Sequence, residues 1–210
     1  VYGSDLSATV SAVRNAVGEG MGLQRIDNAV LEKYRKTLKD CSKRDSGEPV
    51  TLSEYEAYQF DDLSALEAEK YRRKKKLCSA DALYIKNKNE IYFFEFKDAR
   101  KSNLPWKSIQ EKAHDSLIPL QVLLFPEISV SECAKKVSFF VIYNEKAVKD
   151  KENDSKSFAQ FKSSMGHLAQ KRHTYPVLGN MNIYENTFYK KVYTIDVSDF
   201  EKDFLDKIYH

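Results

Sequence analysis

Between Ser79 and Lys97 the chain reads Ser-Ala-Asp-Ala-Leu-Tyr-Ile, a polar Lys-Asn-Lys-Asn-Glu break, then Ile-Tyr-Phe-Phe-Glu-Phe-Lys. Two runs of β-branched and aromatic residues around a short polar break predict a β-hairpin. A turn centred on Lys88 sets Ile85 against Ile91, Leu83 against Phe93 and Asp81 against Glu95. Side chains alternate along a strand, so Lys97 shares the face of Glu95, roughly 6.5–7 Å further on. One face then carries Asp81, Leu83, Ile85, Ile91, Phe93, Glu95 and Lys97, with its charges gathered at one end. The other face carries Ala82, Tyr84, Tyr92, Phe94 and Phe96, so both faces are expected to be covered. Charges at the end of a doubly covered sheet are costly unless a metal, a partner or water compensates them.

A chain of 210 residues with 42% hydrophobic and 31% charged residues has the length and composition of one sizeable globular domain. A net charge of +3 excludes a uniformly basic polyanion clamp, so any nucleic-acid surface has to be a local patch. No apolar run has membrane-spanning length, and residues 1–20 lack a signal-peptide pattern. Cys41, Cys78 and Cys133 are odd in number and far apart, and the four histidines are equally scattered, which argues against a disulfide framework or structural zinc. A cytoplasmic setting is the expectation.

Along the chain, helical spacing of Leu6, Val10, Val13 and Val17 predicts a helix over 5–18, ended by the Gly18–Gly22 cluster. A second helix is expected from Ile26 to Leu38, making residues 1–50 a helical preface. Thr51-Leu-Ser-Glu54 has the form of a capping box and predicts a helix through Tyr55 and Tyr58. A further helix from about Asp62 to Lys74 sets Leu63, Leu66, Glu67 and Tyr71 on one face. Ser64 and Glu67 also have capping-box spacing, which gives Glu67 a purely structural alternative. Tyr71-Arg-Arg-Lys-Lys-Lys76 reads either as a solvated helix end or as a phosphate-contacting strip. Pro105 opens a helix through Trp106, Ile109, Gln110, Ala113 and Leu117, kinked at Pro119 and running to Phe125. Val137–Tyr143 is a strand, 157–170 a helix, 190–197 an edge strand, and 200–208 a closing helix. The Tyr and Lys content of 171–194 reads as an aromatic–basic surface or as packing beside solvated charge.

Asp81 with Glu95-Phe96-Lys97, 14 residues apart across a hairpin, resembles the signature of the PD-(D/E)xK nuclease superfamily. Ala80 stands where that family often has Pro. The resemblance covers about residues 62–143, where the predicted order helix, strand, strand, helix, strand fits. It implies an α/β fold with a mixed sheet and a restriction-endonuclease-like core, extended by the helical preface and by 144–210. By resemblance, Asp81, Glu95 and the Phe96 carbonyl hold Mg²⁺ or Mn²⁺, and Lys97 orients or deprotonates the attacking water. Glu67 becomes a further acidic group. Gln110-x-x-x-His114 is similar to a Gln-x3-Tyr element of the RecB-like branch, with His for Tyr, and nominates Gln110.

The implied function is metal-dependent hydrolysis of nucleic acid, DNA before RNA. The alternatives are a binding or immunity-type module on a decayed scaffold and a delivered toxin domain, the latter with a cognate inhibitor as partner; a homodimer is the other partner considered. Other chemistries find no support. Gly18-x-Gly20-x-Gly22 follows no strand and leads to no Gly-Lys-Ser/Thr, no G-x-S-x-G elbow occurs, and Cys78 has no evident His partner. His167, His173 and Asn180 lack the spacing and flanks of a His-Asn-His nuclease.

Overall fold

A computed structural model describes residues 26–44, 46–147 and 175–210. The expected helices over 5–18 and 157–170, the Gly18–Gly22 cluster, His167 and His173 lie outside these residues. The architecture is mixed α/β, built on a six-stranded sheet in which strand order follows chain order. The strands are β1 (Arg35–Thr37), β2 (Glu56–Gln59), β3 (Ala82–Asn87), β4 (Glu90–Lys97), β5 (Val137–Tyr143) and β6 (Lys191–Asp196). β1 to β4 are antiparallel neighbours, whereas β4, β5 and β6 run parallel, β4 and β5 being joined by a helical crossover.

The hairpin forms in the predicted register, with Ile85 opposite Ile91 and Leu83 opposite Phe93. Its turn is tighter than the sequence suggested. Asn87 pairs with Glu90, leaving Lys88 and Asn89 at the tip, and the register shifts between Ile85 and Asn87. The Asn89 amide donates to Asn87 Oδ1 at 2.8 Å, an Asx turn that shortens the five-residue break.

Both faces of the sheet are buried. Leu83, Ile91, Phe93, Phe139, Val141 and Val192 face one core. Ala82, Phe94, Phe96, Phe140, Ile142 and Ile195 face the other. The first core is roofed by α3 (Phe60–Lys70), α4 (Trp106–Asp115) and the continuation through Leu117–Pro119 (α5) into a π turn at Leu120–Leu124. The second is closed by α7 (Val197–Asp203) and α8 (Leu205–Tyr209). Phe93 packs at a tilt against Phe60, ring centroids 4.9 Å apart, and Phe94 meets Phe200 edge-on at 5.6 Å. Each fully buried aromatic of this kind is worth about 1.5–3 kcal/mol of burial.

The segment before the hairpin departs from expectation. Instead of one helix over 26–38, α1 (Asn28–Glu32) is followed by β1 and by α2 (Leu38–Cys41), capped by Thr37. Nor does the Thr51–Glu54 pattern start a helix, because Glu56–Gln59 forms β2. The Thr51 hydroxyl accepts from the Ser53 amide and donates to Glu201, while the Leu38 and Lys39 amides donate to the Tyr55 and Ser53 carbonyls. These tertiary bonds take the backbone groups a helix would use. The described part of the preface is therefore an edge of the sheet. The sequence reading also passed over α6 (Val130–Lys136), which carries a complete capping box between Ser129 and Glu132. The closing helix of 200–208 breaks at Phe204 into α7 and α8.

A turn at 178–181 fastens the crossover. Gly179 has a φ of +60°, and an added Cβ would overlap the indole ring of Trp106. Its carbonyl accepts from Gln110 Nε2 at 2.8 Å. Gly47 has a φ of +84° but open space around it. Gly47→Ala should cost about 1–2 kcal/mol from backbone strain alone. Gly179→Ala adds overlap and should cost roughly 1–3 kcal/mol more. Urea unfolding of the two variants checks the order.

Candidate functional site

The charged end of the hairpin lies where β4 outruns β3. Ala82 pairs with Phe94, and the next position on β3 is Asp81, outside the ladder. Its side chain completes the ladder instead, Oδ2 accepting from the Phe96 amide at 2.7 Å. The Asp81 carbonyl accepts from the Phe60 amide at the start of α3. Before it, the Ala80 amide donates to Ser116 Oγ at 2.8 Å, and Ser116 Oγ donates to the Lys112 carbonyl at 2.6 Å. A proline at position 80 would have no N–H for that bond, which gives the Ala a physical reason.

Glu95 and Lys97 share a face of β4, as the alternation requires. Glu95 is fully buried, while Lys97 and Asp81 each retain about a fifth of their side-chain surface. Lys97 Nζ sits 2.6 Å from Glu95 Oε1. Asp81 and Glu95 also converge on a residue that the sequence reading missed. Lys112 Nζ lies 2.8 Å from Asp81 Oδ1, 2.9 Å from Glu95 Oε1 and 3.0 Å from Glu95 Oε2. Two carboxylates and two ammonium groups thus form one mostly buried cluster. The missed signal is helical: Ile109, Lys112, Ala113 and Ser116 recur at the spacing of one face, and Ile109, Ala113 and Ser116 are buried. A lysine on that stripe needs carboxylate partners.

The other nominated residues do not join them. Glu67 is buried on α3, but its carboxylate pairs with Arg73. Gln110 is turned to Gly179, and His114, next to Asp115, lies edge-on to Phe188 at the surface. Among the described residues no three His, Cys, Asp or Glu side chains gather as a metal-holding group. Of the 71–76 strip, Arg73 serves Glu67 and Lys76 serves Asp61, whereas Arg72, Lys74 and Lys75 are exposed and make no ion pair with the described residues.

A cavity of about 590 Å³ opens beside the cluster, bounded by Asp81, Phe96, Lys97, Asp98 and residues 41–44 and 46. Arg44 is held over this opening by ion pairs to Asp98 and Glu48, and Asn144 Nδ2 donates to Asp98 Oδ1 at 2.7 Å. Cys41 also lines it, but burial pushes its thiol up to about 12, which removes it as a nucleophile.

Burial, and then the neighbouring Asp81 charge, push the Glu95 carboxyl up to about 7, against the opposing pull of Lys112 and Lys97. Burial works against the Lys112 ammonium, but Glu95 and Asp81 outweigh it and hold Lys112 above the ordinary lysine range. Comparison with protein-family models, with curated proteins and with solved structures finds no match to this chain.

Because the folded carboxyl of Glu95 holds its proton to higher pH than the unfolded one, the folded state binds more protons over that interval. Its contribution to stability is complete below about pH 4.5 and is lost as pH rises through about 7. In chelator, wild-type stability should fall across this window, and Glu95→Gln should flatten the fall. Urea unfolding at successive pH values tests this; parallel profiles would show a normally ionising carboxyl.

Proposed function

We propose that this chain hydrolyses nucleic-acid phosphodiester bonds with Mg²⁺ or Mn²⁺ held by Asp81 and Glu95, on a restriction-endonuclease-like core. The observation that carries this reading is the convergence of both carboxylates on one cation position, with Lys97 beside it on the same strand. The order α3, β3, β4, α4, β5 supports the core assignment, as does the parallel β4–β5 pairing across the crossover.

The donor set suits such a cation. Asp81 and Glu95 offer hard carboxylate oxygens, and the Phe96 carbonyl points to the same strand edge as its amide, toward Asp81. With no third acidic side chain at this point among the described residues, water and substrate oxygens would complete the shell, in keeping with the reluctance of Mg²⁺ to lose water. When bound, the cation would acidify a water and offset charge developing on the phosphate.

The protein's own groups do the rest. Asp81 is fixed by the Phe96 amide at Oδ2, so its other oxygen, Oδ1, which accepts from Lys112 Nζ, is aimed before any ligand arrives. Lys97, fastened to Glu95 yet partly open to the cavity, orients water and holds a phosphate oxygen. Lys43 and Arg44 border the same opening and suit a phosphate backbone, as do the exposed Arg72, Lys74 and Lys75 by charge. DNA is favoured over RNA on the superfamily resemblance alone.

A second reading, a non-catalytic binding module on a decayed nuclease scaffold, is favoured by one observation: Lys112 already compensates both carboxylates. Incubating plasmid, linear DNA and RNA with the chain in Mg²⁺, Mn²⁺ or chelator separates the two. The nuclease reading expects metal-dependent cleavage, reduced by about 10²-fold or more in Lys97→Ala with Mn²⁺ binding retained. Glu95→Ala should lose cleavage and Mn²⁺ binding together. Binding of DNA or RNA without cleavage under every metal condition would favour the module.

A further inference from the structure

We propose that the Lys112 ammonium occupies, in the metal-free chain, the position a divalent cation takes between Asp81 and Glu95. Metal entry is then an exchange of one cation for another. The proposal rests on the reading of Asp81 and Glu95 as metal ligands and adds what holds them before the metal arrives.

Three observations carry it. Lys112 Nζ is 2.8 Å from Asp81 Oδ1 and within 3.0 Å of both Glu95 oxygens, so it bridges the two carboxylates as a metal would. Lys97 Nζ pairs with Glu95 and, among the described residues, with no second carboxylate, and it comes from the same strand, so it can remain when the bridging position changes hands. Lys112 reaches the site from a different element, on the stripe of α4 that carries Ile109, Ala113 and Ser116. The helix is fixed by those neighbours, and by the bond from Ala80 to Ser116, while the four-carbon lysine stem can swing without moving it.

An ammonium and a divalent ion cannot share the same carboxylate oxygens at contact distance without strong repulsion. The occupied position therefore weakens metal binding in the absence of substrate. Once displaced, the ammonium lies near the bound cation with its carboxylate partners withdrawn, where a phosphate is the natural counter-charge. Metal and phosphodiester then favour one another's binding, and by linkage the effect is reciprocal. In the free chain the same ammonium keeps two close carboxylates tolerable in a mostly buried place.

Calorimetric titration of Mn²⁺ into wild type, Lys112→Met, Lys112→Gln and Glu95→Gln tests the exchange. Removing the competing ammonium should tighten Mn²⁺ binding by about tenfold or more. Both Lys112 variants should melt lower than wild type in chelator and gain more from saturating Mn²⁺. Glu95→Gln should lose the site. Because the variants can lose folded protein in chelator, a measurement on the wild type stands beside them: the ¹⁵Nζ signal of Lys112, followed during Mg²⁺ titration, should leave its carboxylate-bound position as the metal saturates. Equal or weaker Mn²⁺ affinity without Lys112, or an unmoved Nζ signal at saturation, overturns the exchange while leaving the metal site standing. Absence of binding in wild type and both Lys112 variants overturns the metal reading, and the exchange with it.

Discussion

Glu95 is a carboxylate without solvent at the end of the central strand, and the surrounding structure is arranged to make that tolerable. β4 is held by an antiparallel partner on one side and a parallel one on the other, so the backbone at Glu95 cannot move out toward water. Its charge has to be answered from the sides. Lys97 answers from the same strand and Lys112 from the crossover helix, while Asp81, arriving from the neighbouring strand, adds a like charge. Removing one partner from a buried group of this kind costs far more than the group contributes as a whole. That asymmetry explains why so many fixed bonds converge on the two segments supplying the partners.

The sheet sets where this can happen. Aromatic and aliphatic cores on both faces exclude water along most of β3, β4 and β5. Only beyond Ala82 and Phe94, where β3 gives way to Asp81, does the ladder offer a gap for side-chain chemistry. There the cavity beside Lys97 meets the buried cluster, so a polar site sits between a dry interior and an open rim. Electrostatic interactions gain strength at such a boundary because solvent screens only one side.

Lys112 gives this arrangement two faces. As a permanent counter-ion it would make the cluster a structural device and suit a binding module. As an exchangeable one it holds two carboxylates around a single cation position, which suits the proposed divalent ion. The difference lies in the mobility of a four-carbon stem on a fixed helix, since the geometry of the carboxylates serves both.

Within the described residues, the hairpin, its register, the face shared by Asp81, Glu95 and Lys97, the crossover helix after Pro105 and the Val137–Tyr143 strand were legible in the sequence. Each depends on local periodicity or on a residue with a strong backbone preference. Glu56–Gln59 was not legible, because a capping-box string there is overridden by bonds to residues distant in sequence. The site divided in the same way. Glu67 and Gln110 were nominated by motif position, yet Arg73 and Gly179 claim their polar atoms. Lys112 carried a readable helical stripe, but the stripe says only that the side chain faces inward. Which charge it meets is set by how far α4 slides along β4 and by the anchor from Ala80 to Ser116. A sequence fixes which way a side chain points from its own element; only the docking of elements decides which charges come within 3 Å of each other.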